Sequence, residues 1–293
     1  MKKIILIIVL AVAVASCKKE KKATMVTDAV VVEDPYADFY GNWVGDFVVS
    51  EADSTVLETD YMISNKINII IKKIEKGKVY GQSIVAGNVR PLLGTITDNA
   101  DEFVINLKEP GDRDDDGEFE FRIANDTLEG IWFVAPKTVP VWERTYKLTK
   151  QPFKYNPKLM LPDHGEYIDY FSMKTDSTTY TNDDGTEDTF YEDTYRMASD
   201  IIAKLNASTT LLKESDLKNL KKLELEIIRN TIFARHGYTF KKRSFRQFFD
   251  PVDWYIPVTD DMSGKLTLIE QKNIVLLNRF QKYAEDNYDS FGR

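Results

Sequence analysis

Between residues 41 and 150, apolar and polar side chains alternate in short runs, and each run ends in turn chemistry. An antiparallel sheet with one face buried accepts that pattern; a helix does not. Eight candidate strands follow: Trp43–Val49, Lys66–Lys73, Lys78–Ala86, Val89–Thr97, Glu102–Leu107, Glu118–Ala124, Thr127–Val134 and Arg144–Thr149. Glu75-Lys76-Gly77, Gly87-Asn88, Asp98-Asn99, Asp112–Gly117 and Asn125-Asp126 supply turns between them. Ile67, Ile69 and Ile71 point one way and Lys66, Asn68 and Lys72 largely the other, as in a half-buried strand. The expected body is an up-and-down barrel over residues 38–150, because closure removes exposed edges, with a sandwich as the alternative.

The chain opens on Met1-Lys2-Lys3, twelve apolar residues from Ile4 to Ala15, then Ser16-Cys17. That apolar run is short of the roughly 20 residues a membrane-spanning helix needs and reads as a secretory signal. Val14-Ala15-Ser16-Cys17 resembles a bacterial lipobox, which implies a signal peptide over 1–16 and a diacylated Cys17 as the mature N-terminus. The sole cysteine of the chain sits where lipidation needs it. Two acyl chains anchor stably where one does not. Lys18 follows Cys17, whereas the inner-membrane retention signal resembles Asp there, so the expected location is the cell envelope, lipid-anchored, at the outer membrane. Residues 17–37 then form the lipidated residue and a charged flexible tether.

Composition removes several function classes. With 43% hydrophobic and 29% charged residues in 293, the chain is neither disordered throughout nor a multi-span helical membrane protein. One cysteine excludes a disulfide framework, and two histidines leave little for common metal or triad chemistry. No nucleophile motif or phosphate-binding glycine loop occurs, so no enzyme, no cofactor and no nucleic-acid partner are expected. Paired carboxylates leave no spacing signature and stay open on this point.

Gly41-Asn42-Trp43 resembles the entry signature of lipocalin-like barrels, which would make Arg144 the arginine packed over the tryptophan and the interior a place for a small apolar ligand. The alternative is an interior filled by side chains. Asp112, Asp114 and Asp116, before Gly117, match the first half of a calcium loop, but Ile123 stands where the bidentate glutamate belongs. A solvated acidic turn is the plainer reading, with a weak calcium site as the alternative.

Residues 151–205 are acidic and Thr-rich, with three prolines between Gln151 and Pro162, and read as a connector or long hairpin arm turning at Asp183-Asp184-Gly185. Leu223–His236 has helical periodicity, with Leu225, Ile228 and Ile232 on one stripe and Gly237 as its stop. Thr267-Leu268-Ile269-Glu270 opens a last helix with a capping box, whose expected buried stripe is Ile269, Asn273, Leu276, Phe280 and Tyr283. The run Ile228–Phe240, containing Phe233-Ala234-Arg235-His236-Gly237, resembles the signature of the YARHG domain, with Phe233 in place of the leading tyrosine. The resemblance extends from Ser215-Asp216-Leu217 through Trp254-Tyr255 to Ile269-Glu270 and Asn273. It implies a small, mainly helical, extracytoplasmic module over 206–285, followed by a tail over 286–293, and carries over no catalytic residue. The fold class expected is therefore α+β, an antiparallel β-barrel followed by a small helical domain.

Two clusters are candidate sites. Arg229, Arg235 and His236, with Glu270 and Asn273 opposite, form a hydrogen-bonded network locking two helices, a receptor for a carboxylate or phosphate, or, as the least favoured reading with no nucleophile placed beside it, a general acid/base site at His236. Lys241, Lys242, Arg243 and Arg246, interleaved with aromatic residues, form a candidate basic face. The functional expectation is a non-catalytic envelope lipoprotein that binds a cell-wall or surface component or another envelope protein. The alternative is a carrier of a small apolar ligand in the barrel.

Overall fold

Strand pairing closes the alternating region into a ring. The computed structural model describes residues 34–54, 64–99, 102–113, 115–134 and 139–288; the signal segment and Cys17 lie outside these. The strands are β1 Gly41–Ala52, β2 Ser64–Glu75, β3 Lys78–Val85, β4 Asn88–Asp98, β5 Phe103–Lys108, β6 Glu118–Ala124, β7 Thr127–Phe133 and β8 Val141–Lys150. Each pairs antiparallel with the next and β8 returns to β1, giving a closed eight-stranded barrel as the alternation and turns predicted. Opposed positions carry the interior: Trp43 faces Ile69, Ile69 faces Ser83, and Ser83 faces Arg90. The interior is filled. Phe47, Phe119 and Tyr146 meet ring to ring at 5.9–6.2 Å, and the Tyr146 hydroxyl donates to the Ile131 carbonyl at 3.1 Å.

The expected tryptophan–arginine stack is corrected. Register sets Lys150 opposite Trp43 and Arg144 opposite Val49. Arg144 therefore lies over Phe47, 5.1 Å from the ring centre, while Lys150 covers Trp43 at 5.9 Å. Trp43 Nε1 donates to the Phe39 carbonyl at 2.8 Å.

Two long strands, β9 Glu166–Thr181 and β10 Glu187–Ser199, form a separate hairpin. It turns at Asn182–Thr186, with Gly185 at φ +83°. The outer part stands in solvent, with Tyr180, Phe190 and Tyr191 each at least 60% exposed. At its base Arg196 of β10 bonds Asp169 of β9 at 2.7 Å and Glu226 at 3.0 Å, all three buried.

Five helices follow: α1 Ile201–Lys204, α2 Glu214–Leu217, α3 Lys222–Arg235, α4 Arg243–Phe249 and α5 Leu268–Asn287. The stripe Leu225, Ile228, Ile232 is buried as predicted, and Gly237 at φ +72° stops α3. A side chain there would be strained twice, since its Cβ would also sit 2.4 Å from Val258 Cγ2. Of the predicted stripe of α5, Asn273 is buried and Leu276 and Phe280 pack partly buried against the core, but its two ends miss. Ile269 and Tyr283 are exposed, while Glu270, Asn273, Leu277 and Ala284 are buried, because the capping glutamate itself turns inward.

The helical region seats on the outer face of β2. Lys66 Nζ donates to the carbonyls of Val252 and Tyr255 at 2.6 and 3.1 Å, and Asn68 Nδ2 donates to that of Pro257 at 2.8 Å. The face that alternation assigned to solvent is thus half covered by polar contacts. Tyr36–Arg293 form one compact unit.

Candidate functional site

The capping box of α5 places the first group. Thr267 Oγ1 accepts from the Glu270 amide at 3.3 Å, and Glu270 Oε2 accepts from the Thr267 amide at 2.9 Å. The same carboxylate stands 2.8 Å from His236 Nε2, at the C-terminal end of α3, and accepts from the Tyr155 hydroxyl at 3.0 Å. The Tyr155 ring stacks on the imidazole at 4.2 Å and 16°. Arg235 donates to Ser208 Oγ at 2.9 Å and to the Leu159 carbonyl at 2.6 Å, and Ser208 in turn bonds Glu270.

Burial works against charge on Glu270, but its bonds to His236, Ser208 and the Thr267 amide outweigh it and hold its carboxyl down to about 2. Burial lowers the Arg235 guanidinium to about 10, and burial with Glu270 nearby raises Tyr155 to about 12. Glu270 is wholly buried, Arg235 is 2% exposed and His236 6%. One turn along α5, Asn273 accepts from the Leu212 amide at 2.9 Å and donates to the Ala207 and Thr210 carbonyls, each at 2.7 Å. These polar atoms are spent on the protein's own chain. The arrangement clasps the helix ends to the segment that precedes them.

Arg229 does not join this group. Its Nη1 donates outward to Asn278 Oδ1 and Gln281 Oε1 of α5, at 2.8 and 2.7 Å. Beside it opens a cavity of about 460 Å³ whose floor is aromatic: Phe233, Tyr238, Phe240 and Phe245, with successive ring centres 5.3–6.3 Å apart. Lys241 and Lys242 join Arg229 on the lining, with Lys242 Nζ 5.9 Å over the Phe245 ring.

Residues 199–282 match the family model of the YARHG domain. The chain carries a YARHG domain. No curated protein and no solved structure matches it.

Within the YARHG domain, the structure brings together His236, Glu270 and Arg235, sets Asn273 beside them, and leaves Arg229 apart. The candidate basic face is divided. Arg246 is 7% exposed and bonds Asn65 of the barrel, so it belongs to the seat on β2. Arg243 lies 5.9 Å over Phe171 of the hairpin, and only Lys241 and Lys242 reach the cavity. The seat also holds Asp250, which burial raises to about 6 against the Lys66 amide and Arg246.

In the barrel, Asp116 bonds Arg90 at 3.1 Å and the Arg113 amide at 2.9 Å. Asp115 and Glu109 also converge on Arg90, at 2.7 and 3.2 Å. Asp114 lies outside the described residues, and among those described no group of three acids or histidines is arranged to hold a metal. Four contributors were not legible in advance. Tyr155 sits in a proline-rich stretch, Ser208 in a loop, and Lys66 on a strand face that pattern assigns to water. Asn230 reads as an ordinary helix residue.

Proposed function

We propose that this protein is a non-catalytic, lipid-anchored protein of the cell envelope whose YARHG domain binds a cell-wall or surface component. The anchoring half of the reading rests on the Met1–Cys17 pattern and on Lys18, which favours the outer membrane. The binding half rests on one observation. Arg229, Lys241 and Lys242 share a ring-floored cavity with no acid on its lining, while Arg235, His236 and Glu270 are consumed internally. A cluster of cations over aromatic surface suits an anionic, partly apolar partner.

A carrier function for the barrel is the weaker reading. The rings of Phe47, Phe119 and Tyr146 meet across its interior, and the cavity at its Arg90–Arg144 end is about 210 Å³. Ligand pockets ordinarily start at about 300 Å³.

The test is co-sedimentation of the full chain with purified sacculi and, separately, with outer-membrane vesicles, at low and high salt. Salt-sensitive pelleting that weakens when Lys241 and Lys242 are both changed to Gln supports the reading, and no pelleting with either material overturns it. Palmitate labelling that is lost in Cys17→Ser supports the anchor; labelling that persists overturns it.

A further inference from the structure

Arg229 is a half-buried guanidinium that forms no ion pair among the described residues. Its two bonded partners are neutral amide oxygens, and its Nε has none. Glu226, whose charge reaches it, is already bonded to Arg196 at 3.0 Å and accepts from Gln281 at 3.3 Å. The next residue, Asn230, is 5% exposed and its Nδ2 donates to nothing. Buried donors and buried charge are ordinarily satisfied inside a protein, and leaving them unmade costs stability. Here both unmade donors belong to residues lining the cavity that Lys241 and Lys242 also line.

We propose that this cavity is a binding site for a small organic acid, with its carboxylate received by the side chains of Arg229 and Asn230 and an apolar or aromatic body against Phe233, Tyr238, Phe240 and Phe245. The assignment rests on the binding role proposed above and gives the same face its ligand class. Arg229 Nη1 is committed, which leaves the other guanidinium nitrogens and the Asn230 amide nitrogen as donors. A guanidinium donor with an amide donor suits the two oxygens of a planar carboxylate. Lys241 and Lys242 add long-range attraction for the anion, and the rings exclude a bare, fully hydrated ion as the preferred occupant. The volume of about 460 Å³ holds an amino-acid-sized or monosaccharide-sized acid.

The experiment titrates the full chain with N-acetyl-phenylalanine, with its carboxamide and with inorganic phosphate, by calorimetry at low salt. The expected result is saturable one-site binding of the acid, at least about tenfold weaker binding of the carboxamide, and no comparable binding of phosphate. Asn230→Asp keeps the side chain's size and sets an acceptor where the donor was, and it should weaken the acid at least about tenfold. Lys242 is exposed, so Lys242→Gln should weaken the acid about threefold with an unchanged melting temperature. Equal binding of acid and carboxamide, phosphate binding as tightly as the acid, or both variants binding normally would each overturn the site. No saturable binding by a chain that still pellets with sacculi overturns this assignment alone. Acid binding by a chain that pellets with nothing supports the site and removes the envelope reading.

Discussion

Lys66 Nζ, on the outer face of the barrel, donates to the Tyr255 carbonyl at 3.1 Å while standing 5.7 Å above the ring of the same residue. One buried ammonium thus joins strand β2 to the aromatic core of the YARHG domain. Burial lowers its proton affinity, and Asp250, Asp46 and Asp253 act in the opposite direction. Two backbone carbonyls and three carboxylates are thus gathered around this one side chain.

Removing that charge should separate the two parts. In Lys66→Met, the carbonyls of Val252 and Tyr255 lose their donor and Asp250 loses a compensating cation, a cost of about 3 kcal/mol. Urea unfolding followed by far-UV circular dichroism and by tryptophan emission should coincide in the native chain and part in the variant. Coincident curves with an unshifted midpoint in the variant would contradict the coupling.

Two carboxyls should give stability an acid-side maximum. Asp250 titrates at about 6 when folded and near 3.8 when unfolded, so the folded state takes up its proton first and stability rises as pH falls from about 6 to about 4. Glu270 runs the other way: held at about 2 against an ordinary 4.5, it contributes stability above about pH 4.5 that is lost as pH falls toward 2. Melting temperature measured from pH 7 to pH 2 should therefore peak between about 4 and 5, and Asp250→Asn should flatten the upper limb. A steady fall from pH 7 downward would refute the assignment.

Asn273→Ala should release the loop that Asn273 ties. Three hydrogen bonds vanish and the backbone groups of Leu212, Ala207 and Thr210 lose a partner, the first two of them buried, costing about 2–3 kcal/mol. Limited proteolysis should then cut between residues 206 and 213, where the native chain resists.

The buried triad at the hairpin base is a sharper case. Arg196→Met leaves Asp169 and Glu226 as unpaired buried acids and should cost about 3–5 kcal/mol. Adding Asp169→Leu and Glu226→Met should recover most of that loss, because the penalty lies in the uncompensated charges. Failure of the triple variant to recover would show that the triad holds the hairpin by geometry.

Local chemistry was legible in the sequence and long-range chemistry was not. Period-two alternation with glycine and asparagine turns located all eight barrel strands, and Thr267–Glu270 announced the start of α5. The same glutamate also explains why the stripe starts one residue later than expected: a capping residue is usually read as solvent-facing, but here His236 and Tyr155 draw it inside. Helix spacing set Arg229 on one face with His236, but Arg229 turns to Asn278 and Gln281 while His236 meets Glu270, because spacing within one helix does not say which side chain of the facing helix it meets. Arg246 was read as surface because its partner Asn65 lies 181 positions earlier. Nothing local in Asn230 distinguishes an unmade donor from a solvated one.

The polar character of the seat has a consequence for biosynthesis. Lys66 and Asn68 leave the ribosome long before Val252, Tyr255 and Pro257, more than 180 residues downstream. A newly closed barrel waiting for that segment presents an ammonium and an amide, both content in water, where an oily docking surface would invite neighbouring chains. The order of synthesis thus favours recognition by hydrogen bonds, and the barrel can wait for its cover without becoming sticky.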